Sequence, residues 1–420
     1  MIEISNKSLC CGCSACTQIC PTHCIEMVSD EEGFWYPCVD KEKCINCHQC
    51  EKKCPILTTS FVPKQGFPDA YLVYDKKMKW RQNSAAGGAF TAIARCFLSG
   101  ENTVVYGATY DNDYSVHHER ITQIGELPRL QKSKYVQSEI RNTYQEVKLD
   151  LKMGKKVLFS GTPCQIYGLK SFLGNCMNIE KLTTVDLSCH GVPSPKVFKL
   201  YLKSLEKREN SKIASFTMRA KQLKGTYYKQ GFNIVFANGK QIFNSHTHDL
   251  FARCFWGEIA SRPSCYNCHF KTVWRVADIT LADCWFFHEF VPEEFDSAGV
   301  TLMLVHSEKG KEILNTCTDL IKYSVDSEKL IKANGGMLYS SAVPHKRRKE
   351  FFERIQSEEF DKVVDDILPE KNEGKLKKMI QPLWDRNLFF TKVIKRYKSR
   401  KRLEERLVRN IPEAARGEMR

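Results

Sequence analysis

Two runs of cysteine, CCGCSACTQICP from Cys10 and CINCHQCEKKCP from Cys44, share the spacing C-x2-C-x2-C-x3-C-P and constrain everything the first sixty residues can become. Three cysteines on one tight loop reach three corners of a cubane iron-sulfur cluster, and the fourth, before a proline, turns toward the other cluster. The spacing therefore predicts crossed ligation. Cys10, Cys13 and Cys16 with Cys54 hold one 4Fe-4S cluster, and Cys44, Cys47 and Cys50 with Cys20 hold the second. A zinc site takes its four ligands as two C-x2-4-C pairs, which two runs of four do not supply. Pro21 and Pro55 stop the chain after each last ligand. Cys11, Cys24 and Cys38 fall outside the pattern and read as buried small apolar residues.

A chain of 420 residues, 42% hydrophobic, has room for two or three domains with their own cores. The N-terminus MIEISNKSLC lacks a basic segment followed by an apolar run, and no stretch of about 18 uncharged apolar residues occurs. A cytoplasmic protein that does not span a membrane is the expectation. Twenty cysteines, eleven of them before residue 60, suit a reducing compartment in which thiolates serve metal clusters rather than bridges. No G-x-G-x-x-G, P-loop, H-E-x-x-H or G-x-S-x-G is present, which argues against a self-contained nicotinamide dehydrogenase, an ATPase or a serine hydrolase.

Four later cysteines sit where sites form. In KKVLFSGTPCQIYGLKSFLG, the run from Val157 to Phe159 predicts a buried strand. The stretch after Pro163 predicts a helix with Ile166, Leu169 and Leu173 on one face, so Cys164 lies at a strand-to-helix turn. Cys189 ends a second strand-like run, TTVDLSCHG, and open parallel sheets place their sites at such strand ends. Cys265 and Cys268 form a C-x2-C pair after Pro263. Together these four suffice for a third 4Fe-4S cluster, although spacing alone leaves open buried thiols, zinc or a redox pair. Cys284, in ITLADCWFF, is a fifth candidate.

The alternation of strand-like YLVYD and NTVVYGATYD with helix-like AFTAIARCFL suggests an α/β layer. Residues Phe216 to Phe243 alternate polar and apolar around an Asn238-Gly239 turn, as antiparallel hairpins do. Leu57 to Asp69, rich in Pro, Gly and Ser/Thr, reads as a linker. Between Lys375 and Arg409 thirteen Lys or Arg face only Asp385, Glu404 and Glu405, a balance of +10 within the chain's +15. Phe390, Ile394, Tyr397, Leu403 and Leu407 recur there at helical spacing and predict a basic amphipathic helix. A solvated helix is the preferred reading; docking on an anionic membrane surface, as a peripheral contact, or on an acidic protein is the alternative. No recognised motif accompanies the charge, so nucleic acid is not an expected partner.

Taken in order, SAAGGAFTAIA from Ser84, KSKYVQS from Lys132, SGTPCQIYGL from Ser160, CHGVPSP from Cys189, SCYNCHFK from Ser264 and ADITLADCW to Trp285 resemble the beta subunits of the F420-reducing hydrogenases and dehydrogenases. The likeness runs from about Tyr71 to about Phe287, behind a two-cluster ferredoxin segment that many such proteins carry. What the resemblance implies is a flavin, FAD, beside a cluster on Cys164, Cys189, Cys265 and Cys268. It also implies flavin-site roles for Gly87, Gly88, Lys134, Tyr135, Gln137 and Ser138. Ala86 stands where relatives have Ser, and Cys284 where they have a bulky apolar residue.

The expected fold class is α+β or α/β: a bacterial-type two-cluster ferredoxin fold over 1–58, a mixed α/β flavin domain over 70–150 and 151–345, and a helical basic tail over 346–420. Clusters pass single electrons and most organic reductions need two, so a flavin between clusters and substrate would store both. The expected function is an iron-sulfur flavoprotein oxidoreductase linking a ferredoxin-like partner to a small-molecule substrate or deazaflavin-type coenzyme. The alternative is a non-catalytic electron-transfer subunit of a larger complex, tied to polysaccharide biosynthesis. His190 and His269, close to the cysteines, receive no catalytic role.

Overall fold

The structure, a computed structural model, describes residues 1–58, 65–224, 227–245, 247–291 and 298–370. Its centre is an eight-stranded mixed sheet in the order Leu320–Ser324, Asp69–Asp75, Thr301–Val305, Ile279–Asp283, Leu182–Leu187, Lys156–Ser160, Thr103–Tyr110, Val116–Ile121. The four strands from Ile279–Asp283 to Thr103–Tyr110 run parallel to their neighbours within that group, and the rest pair antiparallel. Fully buried runs such as Val157, Leu158 and Phe159 are what a parallel strand covered on both faces requires. The mixed α/β class expected from the sequence is the one observed.

The strand at 156–160 and the helix Pro163–Leu173 follow the sequence reading closely. Thr162 caps that helix in a reciprocal box with Gln165, Pro163 takes the first turn, and Ile166, Leu169 and Leu173 are buried. Residues Ile213–Lys224, Tyr227–Phe236 and Gln241–Asn244 form a separate three-stranded antiparallel sheet, turned at Asn238-Gly239 with Gly239 at a φ of +85°. Residues 59–64, within the expected linker, lie outside the described residues, as does the whole basic segment from 371 onward. The described part of the C-terminal region forms two short helices, Arg348–Arg354 and Phe360–Ile367. They bury Phe351, Phe352, Phe360, Val363 and Val364 in the same core as the helices Pro195–Glu209 and Leu250–Trp256.

Before residue 58 the chain carries a two-stranded ribbon, Ile25–Ser29 with Trp35–Val39, and short helices after each cysteine loop. The two loops repeat one backbone course. Gly12 and Asn46 hold left-handed φ values of +69° and +52°, and Ser14 and His48 hold +61° and +57°, at matching places in each motif. The first loop faces the large domain, where a Cβ on residue 12 would stand 2.5 Å from Gln137 Nε2 and 3.0 Å from an Arg262 Nη, so a side chain there would push the Gln137–Arg262 pair aside. Asn46, in the second loop, is exposed and tolerates a side chain.

This N-terminal segment shares its core with the rest. Phe34 and Tyr36 pack among Val197, Phe198 and Phe251, while Cys13 and Ala15 pack among Phe159, Ile166 and Leu169. Arg262, 0% exposed, ties the two parts together: Nε donates to Cys10 O at 2.8 Å, one Nη to Trp35 O at 3.0 Å, and the other to Gln137 Oε1 at 3.1 Å. Its guanidinium also lies 4.2 Å from the Tyr36 ring centroid. A fork of Arg348 on Glu32, at 2.7 and 2.5 Å, adds a second tie.

A lysine cannot reproduce the three-way planar fork of Arg262. Arg262→Lys therefore leaves buried acceptors unpaired and is expected to cost about 2 to 3 kcal/mol, read as a lowered thermal midpoint of the anaerobically purified protein. An unchanged midpoint would show that the two parts cohere without it.

Candidate metal centres

The cysteines surround three cavities. One is lined by Cys10, Cys13, Cys16 and Cys54, together with Cys11, Gly12, Pro37 and Ile56. The next is lined by Cys20, Cys44, Cys47 and Cys50, together with Cys24, Val39 and Ile45. Each holds three thiols from one motif and the fourth from the other, the crossed grouping that the spacing predicts. Cys16, Cys20, Cys24 and Cys50 pack in one cluster, so these two cavities adjoin.

The third cavity is lined by Cys164, Cys189, Cys265 and Cys268, with Cys11, Ile56, His190 and Lys271. Cys164 occupies the first turn of its helix, its Sγ 3.1 Å from Thr162 Oγ1. Cys189 follows the strand Leu182–Leu187, and its carbonyl accepts from Lys271 Nζ at 2.5 Å. Cys265 sits in the 3-10 turn Pro263–Asn267, and the Cys268 amide donates to Ser341 Oγ at 3.0 Å. Three chain segments, carrying Cys164, Cys189 and the Cys265–Cys268 pair, thus meet at one end of the sheet. Burial pushes the Cys189 thiol up to about 12, and Cys265 also upward. Lys271 and Arg275, by their positive charge, favour the thiolate at Cys189.

Among the described residues no three His, Cys, Asp or Glu side chains converge as ligands of a single ion would. The thiols stand around spaces instead, which is the donor chemistry and arrangement a multi-iron cluster takes. Cys284 is elsewhere. It is buried among Leu302, Leu330 and Ile331 and does not line the third cavity.

Two cysteines set aside from the sequence differ from that reading. Cys38 is exposed rather than buried, because it faces out from the antiparallel ribbon. Cys11 lines both the first and the third cavity, and Ile56 does the same. Cys24, buried as expected, lines the second cavity with its Sγ 3.4 Å from that of Cys20. Periodicity carried no signal for Cys11, since its importance arises only where the first loop meets residue 164.

The segments singled out for a flavin meet partly. Gly87 is packed so that a Cβ would stand 2.7 Å from both Thr301 N and Val73 O, and its N–H donates to Thr301 Oγ1 at 3.0 Å. Gly88, at a φ of +85°, opens the helix Ala89–Leu98. Arg219 joins this loop to the other segment, donating to Ala85 O at 2.9 Å and to the Tyr135 hydroxyl at 3.0 Å. It also forks onto Asp283 at 2.7 and 2.9 Å, stands at a φ of +55° in a bulge, and leaves a buried Nε with no partner among the described residues. The sequence reading missed Arg219. A buried, left-handed arginine is an outlier of the kind that marks binding sites.

Lys134 Nζ donates to Arg129 O and Gln131 O, both at 2.9 Å, and burial lowers it to about 7. Gln137 turns instead to Arg262, and Ser138 Oγ lies 2.8 Å from His118 Nδ1, whose Nε2 reaches Ser160 O at 3.0 Å. His190 Nε2 meets Glu258 Oε1 at 2.5 Å on the wall of the third cavity.

Residues 154–329 match the family model that describes the C-terminal part of the beta subunit in coenzyme F420 hydrogenase/dehydrogenase. Over 65 residues the chain is 36% identical to an uncharacterized ferredoxin of Methanocaldococcus jannaschii, covering 15% of this chain and 83% of that protein. Over 60 residues it is 33% identical to an uncharacterized polyferredoxin-like protein of the same organism, covering 12% of this chain and 36% of the relative's length. A solved chain from the F420-reducing NiFe hydrogenase complex of Methanosarcina barkeri aligns over 70% of this chain and 95% of its own, at 15% identity and a TM-score of 0.44.

His118, 4% exposed, is held neutral by burial, which lowers it to about 4. Unfolded, it binds a proton near pH 6.5. Between about 6.5 and 4 the unfolded state therefore gains a proton that the folded state refuses, and stability falls with pH. The loss by pH 5 is about 2 kcal/mol. The drop in thermal midpoint from pH 7 to pH 5 is expected to be smaller in His118→Gln than in the wild type, and equal drops would refute it.

Proposed function

We propose, for a chain that belongs over residues 154–329 to the coenzyme F420 hydrogenase/dehydrogenase beta-subunit family and in its N-terminal segment to the ferredoxins, that it is an iron-sulfur flavoprotein oxidoreductase passing electrons along three clusters in series. The observation that carries this reading is the shared wall. The cavity around Cys10, Cys13, Cys16 and Cys54 adjoins that around Cys20, Cys44, Cys47 and Cys50 through their packed thiols, and adjoins the central one through Cys11 and Ile56.

In this reading Cys10, Cys13, Cys16 and Cys54 hold the first 4Fe-4S cluster, Cys44, Cys47, Cys50 and Cys20 the second, and Cys164, Cys189, Cys265 and Cys268 the third. The outer end of the series is the second cavity, where Ile45 is 63% exposed, so a ferredoxin-like partner docks there. The inner end is the third cavity, where Lys271 and Arg275 offset the negative charge of four thiolates.

Bound clusters would exchange single electrons, and a bound FAD would store two for transfer to an organic substrate or deazaflavin-type coenzyme. Arg219 supplies the cationic side of the flavin site, its Nε, without a partner among the described residues, turned toward an anionic group, and the tilted Tyr135 and Phe255 rings lie 5.1 Å apart beside it. Gly87 serves this site by keeping the loop close against Thr301 and Val73, and Gly88 by letting it turn tightly past Asp75 and Arg81. Ser138 and Gln137 act through the residues they hold, His118 and Arg262. No helix among the described residues is long and apolar enough to cross a membrane.

Anaerobic purification followed by iron, sulfide and flavin quantification tests this directly. About twelve irons and one flavin per chain are expected. Cys164→Ser is expected to lose about four irons and Cys284→Ser none. About eight irons without flavin would leave a ferredoxin-like carrier in its place. In a second test, Arg219→Met is expected to release flavin while keeping every iron; flavin retained at the wild-type level would remove Arg219 from the site.

A further inference from the structure

We propose that Cys11 is the contact through which the first N-terminal cluster and the central cluster are joined, its thiol tuning both by hydrogen bonding to a ligand sulfur of each. The inference rests on the iron-sulfur reading above and concerns a residue outside all three ligand sets.

Cys11 lines both cavities, beside Cys13 in the first and beside Cys164 in the third. Those two thiols belong to different clusters. The position of Cys11 is held from both sides: Arg262 Nε donates to the Cys10 carbonyl at 2.8 Å, and Gly12 lies against the Gln137 and Arg262 side chains, which a Cβ there would meet at 2.5 and 3.0 Å. The internal repeat supplies the comparison. The residue at the matching place in the second motif is Ile45, which lines only the second of the three cysteine-lined cavities and is 63% exposed. The same loop position thus carries a thiol where two cavities face each other and an apolar side chain where one faces solvent.

A thiol has one proton to donate. A hydrogen bond to a cluster sulfur stabilises the reduced form, which carries one more negative charge, and so raises the potential. With a single proton between two ligand sulfurs, Cys11 favours whichever cluster is reduced. Each transfer moves one electron from one cluster to the other, while the proton stays on Cys11 and only its acceptor changes. No bond to sulfur forms or breaks.

The test uses the full-length chain, purified anaerobically as wild type, Cys11→Ala, Cys11→Ser and, as an exposed control, Cys38→Ala. Iron is counted, and each centre is followed by EPR during a redox titration. Cys11→Ala is expected to keep the wild-type iron content and to shift one or both of the two adjacent centres to more negative potential, leaving the outer centre unmoved. Cys11→Ser, whose hydroxyl also donates, is expected to return the shifted centre toward the wild-type value, and Cys38→Ala to match wild type.

Unmoved potentials in Cys11→Ala overturn the proposal. Loss of about four irons in that variant overturns it too, by making Cys11 a ligand. A wild-type chain with only about eight irons instead removes the central cluster, and with it both the underlying reading and the proposal.

Discussion

The arrangement depends on a buried guanidinium. Arg262 gathers a carbonyl beside the first cysteine ligand, a carbonyl on the two-stranded ribbon and the amide oxygen of Gln137, with its face on Tyr36. Three acceptors from three distant segments meet one planar donor group, so the relative position of the cysteine-rich segment and the large sheet is set to within hydrogen-bond tolerance. Arg262 also precedes Cys265 by three residues, and the Cys265 amide donates to its carbonyl at 2.9 Å. One residue therefore positions thiols on both sides of the shared wall. The proposed transfer between centres would need this rigidity, since a segment swinging on a tether would present its thiols at varying distance.

The electrostatics of the central cavity follow from the same closeness. Thiols removed from water resist ionisation, as the upward shifts at Cys189 and Cys265 show, and a cluster must overcome that by binding thiolates directly. Lys271 and Arg275 supply compensating charge from the wall of the cavity. Just behind Cys189, Asp186 is raised by burial to about 6, with Thr280 Oγ1 donating to it at 2.5 Å and standing 2.8 Å from His306 Nε2. These hydrogen bonds tie the strand behind Cys189 to its neighbours and hold the wall of the cavity in place.

Much of this was legible in the order of residues. The cysteine spacing predicted a crossed grouping of the thiols, because a loop of C-x2-C-x2-C closes on itself and leaves its fourth cysteine pointing away, and the thiols lining the two N-terminal cavities are grouped in that way. The strand at Val157, the helix after Pro163 and the hairpin turn at Asn238-Gly239 follow from burial period, N-terminal capping and left-handed glycine, all local properties. The central thiol set was harder, because Cys164, Cys189 and the Cys265–Cys268 pair lie on separate segments and spacing relates none of them. The resemblance to a known family supplied that grouping, and the same four thiols line one cavity.

What the sequence by itself determined was therefore whatever depends on neighbours along the chain: the ligand loops, their repeated left-handed turns, the strands and helices, and the donor chemistry. Tertiary structure decided what depends on neighbours across it. Cys284 is a core residue, Cys11 faces two cavities while its counterpart Ile45 faces solvent, and Arg219 links the glycine loop to Tyr135. The physical reason is that a thiol or guanidinium carries the same local signal in every context, and its partner set is fixed only when distant segments pack against each other.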